Sequence, residues 1–254
     1  MSELKFFVSD FHFGSNIIDD GISTSLFDRF CSSLPYGSNL YILGDLFDFW
    51  IEHRYTVRAD FAKIYSIFIN AKKHGIKIFI VRGNHDFMYG DFLKKLGIES
   101  INDMFEFEIA EKKVCCLHGD EIFEDPAYNV MKSVFRNKIL QSLYKSIHPT
   151  FSISLAQSVS KLSRKKNKKS VTSFERKERY RKYAADFSNK KNYDILIMGH
   201  SHICDLVRIN SKIYANSGVW FEKPTYVLID ENKIFLKEFF GDLESDAVLE
   251  EVEI

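Results

Sequence analysis

Ile76-Lys77-Ile78-Phe79-Ile80-Val81-Arg82-Gly83-Asn84-His85-Asp86 is an apolar run that stops abruptly at a glycine followed by three polar side chains. Runs rich in β-branched and aromatic residues, closed by Gly, Asp or Asn, read as buried strands ending in tight turns. The same design recurs outward in both directions. Leu4–Val8 precedes Ser9-Asp10-Phe11-His12, and Leu40–Leu43 precedes Gly44-Asp45. Val114–Leu117 precedes His118-Gly119-Asp120, and Ile195–Met198 precedes Gly199-His200-Ser201-His202. Up to about Asn102 the strands alternate with helical stretches, which defines an α/β chain. If the five strands share one sheet, their C-terminal ends carry every polar cluster along one edge, where open α/β sheets bind ligands.

These clusters contain seven potential metal ligands, and five of the eight histidines of the chain lie within them. Carboxylate and imidazole together suit divalent Mn, Zn or Fe, whereas soft thiolate ligation is not indicated. Asp10 and His12 stand two apart on a segment expected to be extended, so both side chains face one side, and His200 and His202 repeat the spacing. A carboxylate such as Asp45 has two oxygens and can bridge two ions, roughly 3.5–4 Å apart in such sites. Taken singly, each motif is more often an ordinary turn or cap. Independent turns do not supply this set in this order, which points to a metal-dependent hydrolase of phosphate esters.

With 254 residues and 45% hydrophobic content, the chain can bury a sizeable core, most simply as one domain over 1–254. Lys plus Arg equals Asp plus Glu at 35 each, so no global charge argues for nucleic acid. The four cysteines show no zinc spacing, which suits a reduced, cytoplasmic compartment. Neither a signal peptide nor a membrane span is expected.

Thr56–His74 reads as a helix with Val57, Phe61, Ile64, Tyr65 and Phe68 on one face. A hairpin is expected over Phe105–Ala110 and Lys113–Leu117, turning at Glu111-Lys112, and short strands follow from Tyr193 onward. Residues 121–192 carry no strand signal and read as a helical insert, or lid. Its first part is amphipathic, with Val130, Val134, Ile139, Leu143, Ile147 and Phe151 among its apolar positions. Its second part is basic, from Lys161 through Lys169 and from Arg176 to Lys182, against only Glu175 and Glu178. An apolar face with a basic flank suits an anionic amphiphile and an anionic membrane surface, while composition alone favours a solvated helical cap packed on the core.

The five motifs resemble those of the calcineurin-like metallophosphoesterases, whose blocks read D-x-H, G-D, G-N-H-D, H and G-H-x-H. That resemblance implies a four-layer α-β-β-α sandwich of two mixed sheets, and two divalent ions, Mn first, with Zn, Fe or Mg as alternatives. By position it implies one ion on Asp10, His12, Asp45 and His202, and the other on Asp45, Asn84, His118 and His200. His85 is then the catalytic histidine, oriented by Asp86. Gly44-Asp45-Leu46-Phe47-Asp48-Phe49-Trp50 resembles more closely the UDP-2,3-diacylglucosamine diphosphatase branch, and Asn216-Ser217-Gly218-Val219-Trp220 resembles its late Gly-x-Trp turn. That branch implies a nucleotide-sugar lipid substrate contacted by Asn84, Asp125, Tyr128, Ser163 and Asn167. It also implies peripheral attachment to the cytoplasmic face of the inner membrane. Two departures stand out: His85 occupies a position where the best-known members carry Arg, and Ser170 stands where a substrate-contacting Lys is expected. The alternatives are another metallophosphoesterase acting on a nucleotide or phosphoprotein, a nucleic-acid enzyme, and a non-catalytic scaffold. The basic stretch has few aromatics for stacking bases, so no nucleic acid is expected. Scaffolding relatives tend to lose ligands, and here every ligand is present.

Overall fold

The computed structural model describes residues 3–15, 20–53, 56–101, 103–120, 130, 133–134, 136–148, 151–152 and 172–254. The first strands are β1 (Lys5–Val8), β2 (Asn39–Leu43) and β3 (Lys77–Val81). They run parallel beside a short β4 (Glu99–Ile101). On the other side of β1, β10 (Thr225–Ile229), β11 (Lys233–Glu238) and β12 (Ala247–Glu253) add antiparallel, completing a seven-stranded sheet ordered β12-β11-β10-β1-β2-β3-β4. The remaining strands are β5 (Met104–Ile109), β6 (Lys112–Leu117), β7 (Ile195–Met198), β8 (Asp205–Ile209) and β9 (Lys212–Asn216). They form a five-stranded sheet ordered β5-β6-β7-β9-β8, in which β6, β7 and β9 are parallel.

The strands alternate between two apolar surroundings, and this builds the layers. Phe6, Val8, Leu40, Ile42, Ile78 and Ile80 face a core shared with α1 (Asp20–Ser33), α2 (Ala62–Lys73) and α3 (Asp91–Lys95). Their neighbours Phe7, Tyr41, Leu43 and Val81 face the other way, onto Val114, Cys116, Ile195, Ile197 and Ala215 of the second sheet. Cys115, Leu117, Leu196 and Met198 then face Tyr180 and Ala184 of the helix Ser173–Lys191. Both faces of the central strands β1, β2 and β7 are buried, which is why they read as nearly continuous apolar runs. The result is the expected α-β-β-α sandwich of two mixed sheets.

Several details differ from the sequence reading. The five motif-bearing strands belong to two sheets, not one. The body helix begins later than Thr56: a 3₁₀ turn covers Ala59–Phe61, α2 starts at Ala62, and Val57 is exposed ahead of both. The β5–β6 hairpin turns one residue earlier than expected, at Ala110 and Glu111, which carry the positive φ values that a tight hairpin requires. The acidic tail supplies β12, and Glu250 accepts the Leu206 amide, tying the edge of one sheet to the edge of the other.

The insert is also shorter than 121–192. Between Asp120 and Thr172 the described residues form one named helix, α4 (Lys138–Lys145), capped by Asn137. The helix Ser173–Lys191, α5, is instead a layer of the body, opened by a capping box of Thr172 and Glu175. Buried Asp205 receives Arg181 through two bonds of 2.7 and 2.9 Å and Lys177 at 2.9 Å, so part of the basic run serves to pin α5 to β8. Among the described residues no helix is long and apolar enough to cross a membrane.

Aromatic rings cluster under α1. Phe30 meets Phe6, Trp220, Tyr226 and Phe239 at centroid distances of 5.1–6.1 Å. Phe30→Ala is expected to cost about 3–5 kcal/mol. Urea unfolding should register this as a lowered midpoint with unchanged slope. A loss below about 1 kcal/mol would mean that the neighbouring rings close the gap.

Candidate metal centre

Each motif follows the C-terminal end of β1, β2, β3, β6 or β7, and the five loops meet at one edge of the sandwich. Asp10 Oδ1, His12 Nε2 and His202 Nε2 converge from the first and last loops. His202 lies 3.2 Å from the carboxylate and 3.3 Å from His12, and His12 lies 3.9 Å from the same oxygen. A second group joins Asp45 Oδ2, His118 Nε2, Asn84 Oδ1 and His200 Nδ1. His118 stands 3.4 Å from Asp45, 3.0 Å from Asn84 and 3.0 Å from His200. Asp45 Oδ2 is also 3.8 Å from His12 Nε2, so this one oxygen lies between the two groups.

Neighbouring atoms aim the donors. His200 N donates to Asp10 Oδ2 at 2.8 Å, and His85 N donates to Asp45 Oδ1 at 2.9 Å, which leaves the other oxygen of each carboxylate for the centre. His118 Nδ1 donates to the Leu43 carbonyl at 2.8 Å, so its Nε2 lone pair points inward. Backbone conformation does the rest. Asp10, His12, Asp45, His200 and His202 all have φ between 51° and 64°. Asp10 and His12 are therefore left-handed rather than extended, and the geometry first read from their spacing is replaced by a tighter one. Each such residue costs about 1 kcal/mol or more, and this strain concentrates at functional sites. Close approach explains Gly83, where a Cβ would fall 2.1 Å from Asp45 Oδ1.

The donors suit divalent cations. Asp10 Oδ1 is buried and accepts no hydrogen bond, and imidazole nitrogens meet at 3.0 and 3.3 Å, close enough to repel unless a cation or proton stands between them. Burial pushes the Asp10 carboxyl up, but His202 and His118 hold it down at about 2. Burial likewise opposes ionisation of Asp45, and His118 and His85 keep it well below the usual carboxylate range. Burial pushes His12 and His200 down to about 3, so both are neutral lone-pair donors near neutral pH. Burial opposes a charge on His118, but Asp45 raises it well above the usual imidazole range. Metal ligation requires ionised carboxylates and neutral imidazoles, so His118 is the ligand that must shed a proton on binding.

The structure reassigns the role given to Asp86. Its buried carboxylate accepts the amides of Asp45 and Gly83 at 3.0 Å and of Phe47 at 3.2 Å, together with the Tyr89 hydroxyl. It fixes loops and does not bond the His85 ring. Burial, with Asp45 close by, raises its carboxyl to about 6. The residue that orients His85 is Asp48, which the sequence reading missed. Its carbonyl accepts from His85 Nδ1 at 2.9 Å, and its Oδ1 lies 3.6 Å from the same nitrogen. A lone acid inside the aromatic run Leu46–Trp50 was the available signal. Four expected substrate contacts, Asp125, Tyr128, Ser163 and Asn167, lie outside the described residues, as does the basic run Lys161–Lys169.

A carboxylate–imidazole cluster at one edge of a two-sheet sandwich defines a metal-dependent phosphoesterase. The chain belongs to the calcineurin-like phosphoesterase family, whose model matches residues 6–204. A UDP-2,3-diacylglucosamine hydrolase of Porphyromonas gingivalis is 27% identical over 260 residues, 94% of this chain and 98% of its own length. Enzymes of the same name from Haemophilus influenzae and Neisseria meningitidis are each 29% identical, covering 78% of this chain and 82% and 81% of theirs.

Two sets of variants separate these roles. Asp45→Ala is expected to reduce bound divalent metal and abolish hydrolysis, because Asp45 belongs to both groups. Metal analysis after gel filtration checks this, and full occupancy with normal turnover would refute it. His85→Ala should leave metal content and melting temperature intact while lowering kcat. Asp86→Ala should lower the melting temperature, since each buried amide left without an acceptor costs about 1–3 kcal/mol. Loss of metal in His85→Ala, or an unchanged melting temperature in Asp86→Ala, would reverse the assignment.

Proposed function

We propose that this chain hydrolyses UDP-2,3-diacylglucosamine at the α-phosphorus, giving UMP and 2,3-diacylglucosamine 1-phosphate, as a step in lipid A assembly. The alignment with a relative of that name over 94% of this chain and 98% of the relative carries the reading. The Gly44–Trp50 stretch and the intact donor set support it. In this proposal Asp10, His12, Asp45 and His202 hold one divalent ion, and Asp45, Asn84, His118 and His200 hold a second, with Mn preferred. Bound divalent ions lower the pKa of water and neutralise phosphoryl oxygens.

The chain's own groups then do the rest. His85 keeps its Nδ1 proton on the Asp48 carbonyl, which leaves Nε2 to meet a phosphoryl or leaving-group oxygen. The Asp48 carboxyl group lies 3.6 Å from the same nitrogen and helps fix the plane of the ring. That gives His85 the means to replace the Arg of the best-known members. Attack at the α-phosphorus expels 2,3-diacylglucosamine 1-phosphate, a phosphate monoester and a fair leaving group, so neutralising charge matters more here than donating a proton.

The insert supplies the acyl-chain surface. Val134 is 47% exposed and Leu143 62%, and Val130, Ile139 and Phe151 are exposed with them. Such a face also suits a peripheral position on the cytoplasmic leaflet, with the basic stretch on anionic headgroups.

Release of UMP from UDP-2,3-diacylglucosamine in mixed micelles, with and without chelator, tests the reaction. Turnover lost on chelation is expected. Hydrolysis of simple aryl phosphodiesters but not of the lipid would favour a different phosphodiesterase. Because about 0.8 kcal/mol attaches to each buried methylene, replacing Val134 and Leu143 together with Asp should raise KM for the lipid at least tenfold. Small-ester turnover should hold, since both side chains are exposed. Equal losses on both substrates would make the insert a structural cap.

A further inference from the structure

The first turn of α5 carries a guanidinium for which the chemistry above has no use. Arg176 is half-buried, and its Nη1 lies 3.5 Å from the carbonyl of Ser201, the residue between the donors His200 and His202. Among the described residues that neutral oxygen is the one acceptor the guanidinium meets, and no carboxylate pairs with it. A guanidinium has five N–H donors and cannot shed its proton, so partial burial leaves it short of an anion. The acids near it on the chain and on β8 are committed elsewhere. Glu175 closes the capping box on Thr172, Glu178 accepts from Arg181 at 3.1 Å, and Asp205 holds Lys177 and Arg181.

The helix carries this charge to the metal edge. α5 runs antiparallel to β7: Tyr193 N donates to the Ser188 carbonyl at 3.0 Å at one end, and Arg176 reaches Ser201 at the other. Tyr180, Ala184 and Ser188 form the buried face of α5 at four-residue spacing, and Arg176 stands one step before them on the same face. The Tyr180 ring lies 6.4 Å from that of His200. Burial, Tyr214 and Asp10 raise the pKa of the Tyr180 hydroxyl while Arg179 and Arg176 oppose them, so Asp10 and Arg176 both act on this ring.

The contact of Arg176 is to the backbone of the last loop and to none of the donor atoms, so it stands beside the donor groups. Ions held there neutralise the phosphoryl group under attack. A diphosphate brings a second charge next to the first, and a planar guanidinium at the rim matches phosphate oxygens in pairs. We propose that Arg176 binds the phosphate adjoining the one attacked, and so selects a diphosphate over a single phosphoester. This rests on the UDP-linked substrate proposed above.

Calorimetric binding of UMP and of α,β-methylene-UDP, whose bridging carbon prevents hydrolysis, to the metal-loaded protein tests this without requiring turnover. Wild type should bind the diphosphate analogue more tightly than UMP. Arg176→Ala should weaken the analogue about tenfold or more and leave UMP within about threefold, the range expected for one lost charge-assisted contact. Arg176→Gln, which keeps a donor for the Ser201 carbonyl without the charge, should behave like Arg176→Ala, and Arg176→Lys should keep part of the preference. Metal content, measured on each variant, should be unchanged. Parallel weakening of both ligands, loss of metal in Arg176→Ala, full retention in Arg176→Gln, or no preference for the analogue in wild type would each overturn the proposal. Failure of the lipid reading appears separately, as absence of turnover on UDP-2,3-diacylglucosamine by a protein that still prefers the analogue through Arg176.

Discussion

The carboxylate of Asp86 receives the amides of Asp45, Gly83 and Phe47 and the Tyr89 hydroxyl, and through them it locks the loop after β2 to the loop after β3. The lock is reciprocal, because Asp45 Oδ1 accepts the His85 amide in return. A buried carboxylate is expensive unless its lone pairs are filled, and here four donors fill them. Asp45, Asn84 and His85 consequently move as one body. The donor distances across the centre are meaningful only because this polar clamp, formed beneath them, keeps the two loops in register.

Against that clamp stands the strain of the candidate ligands themselves. Five of the seven donors have left-handed backbone, a conformation disfavoured for any residue but glycine. The two-layered apolar packing of the sheets absorbs it. Phe7, Tyr41 and Phe107 stack at centroid distances of 4.8–6.3 Å between the sheets, and Phe11 stacks on Trp220 directly behind the first motif. Tight interiors do not deform continuously, so the strained turns have no relaxed alternative nearby.

Much of this was legible in the residues alone. Apolar runs ending in Asp, His and Asn identify the strands and their ligands, because burial on both faces and metal chemistry each leave a compositional trace. Which motif-bearing strand belongs to which of the two sheets was not legible, since a run buried on both faces reads the same in either sheet. Asp86 and Asp48 show a second limit. Both are acids beside a histidine or a ligand, and only geometry tells which of them bonds backbone amides and which turns the ring. The basic residues Lys177 and Arg181 show a third. Composition groups them with a membrane-facing flank, whereas Asp205 draws them inward to fasten a helix. The strand β12 was hidden for a related reason: its acidic residues lie on an edge strand, where charge is tolerated and hides the apolar alternation.

The two donor groups draw on both sheets, and His12 and His202, whose imidazoles meet, stand 190 positions apart in the chain. Neither sheet alone possesses a usable coordination sphere. During synthesis the early donors Asp10, His12, Asp45 and Asn84 emerge long before His200 and His202, and the ring nitrogens of the last loop arrive only when β7 has added beside β6. A coordination sphere drawn from all these residues is therefore complete only late in the life of the nascent chain. A prefolded, rigid set of oxygens and nitrogens can discriminate by geometry among ions that an open chain would rank by affinity alone. The long-range wiring of the sandwich thus makes the completed fold a precondition for assembling the full donor set.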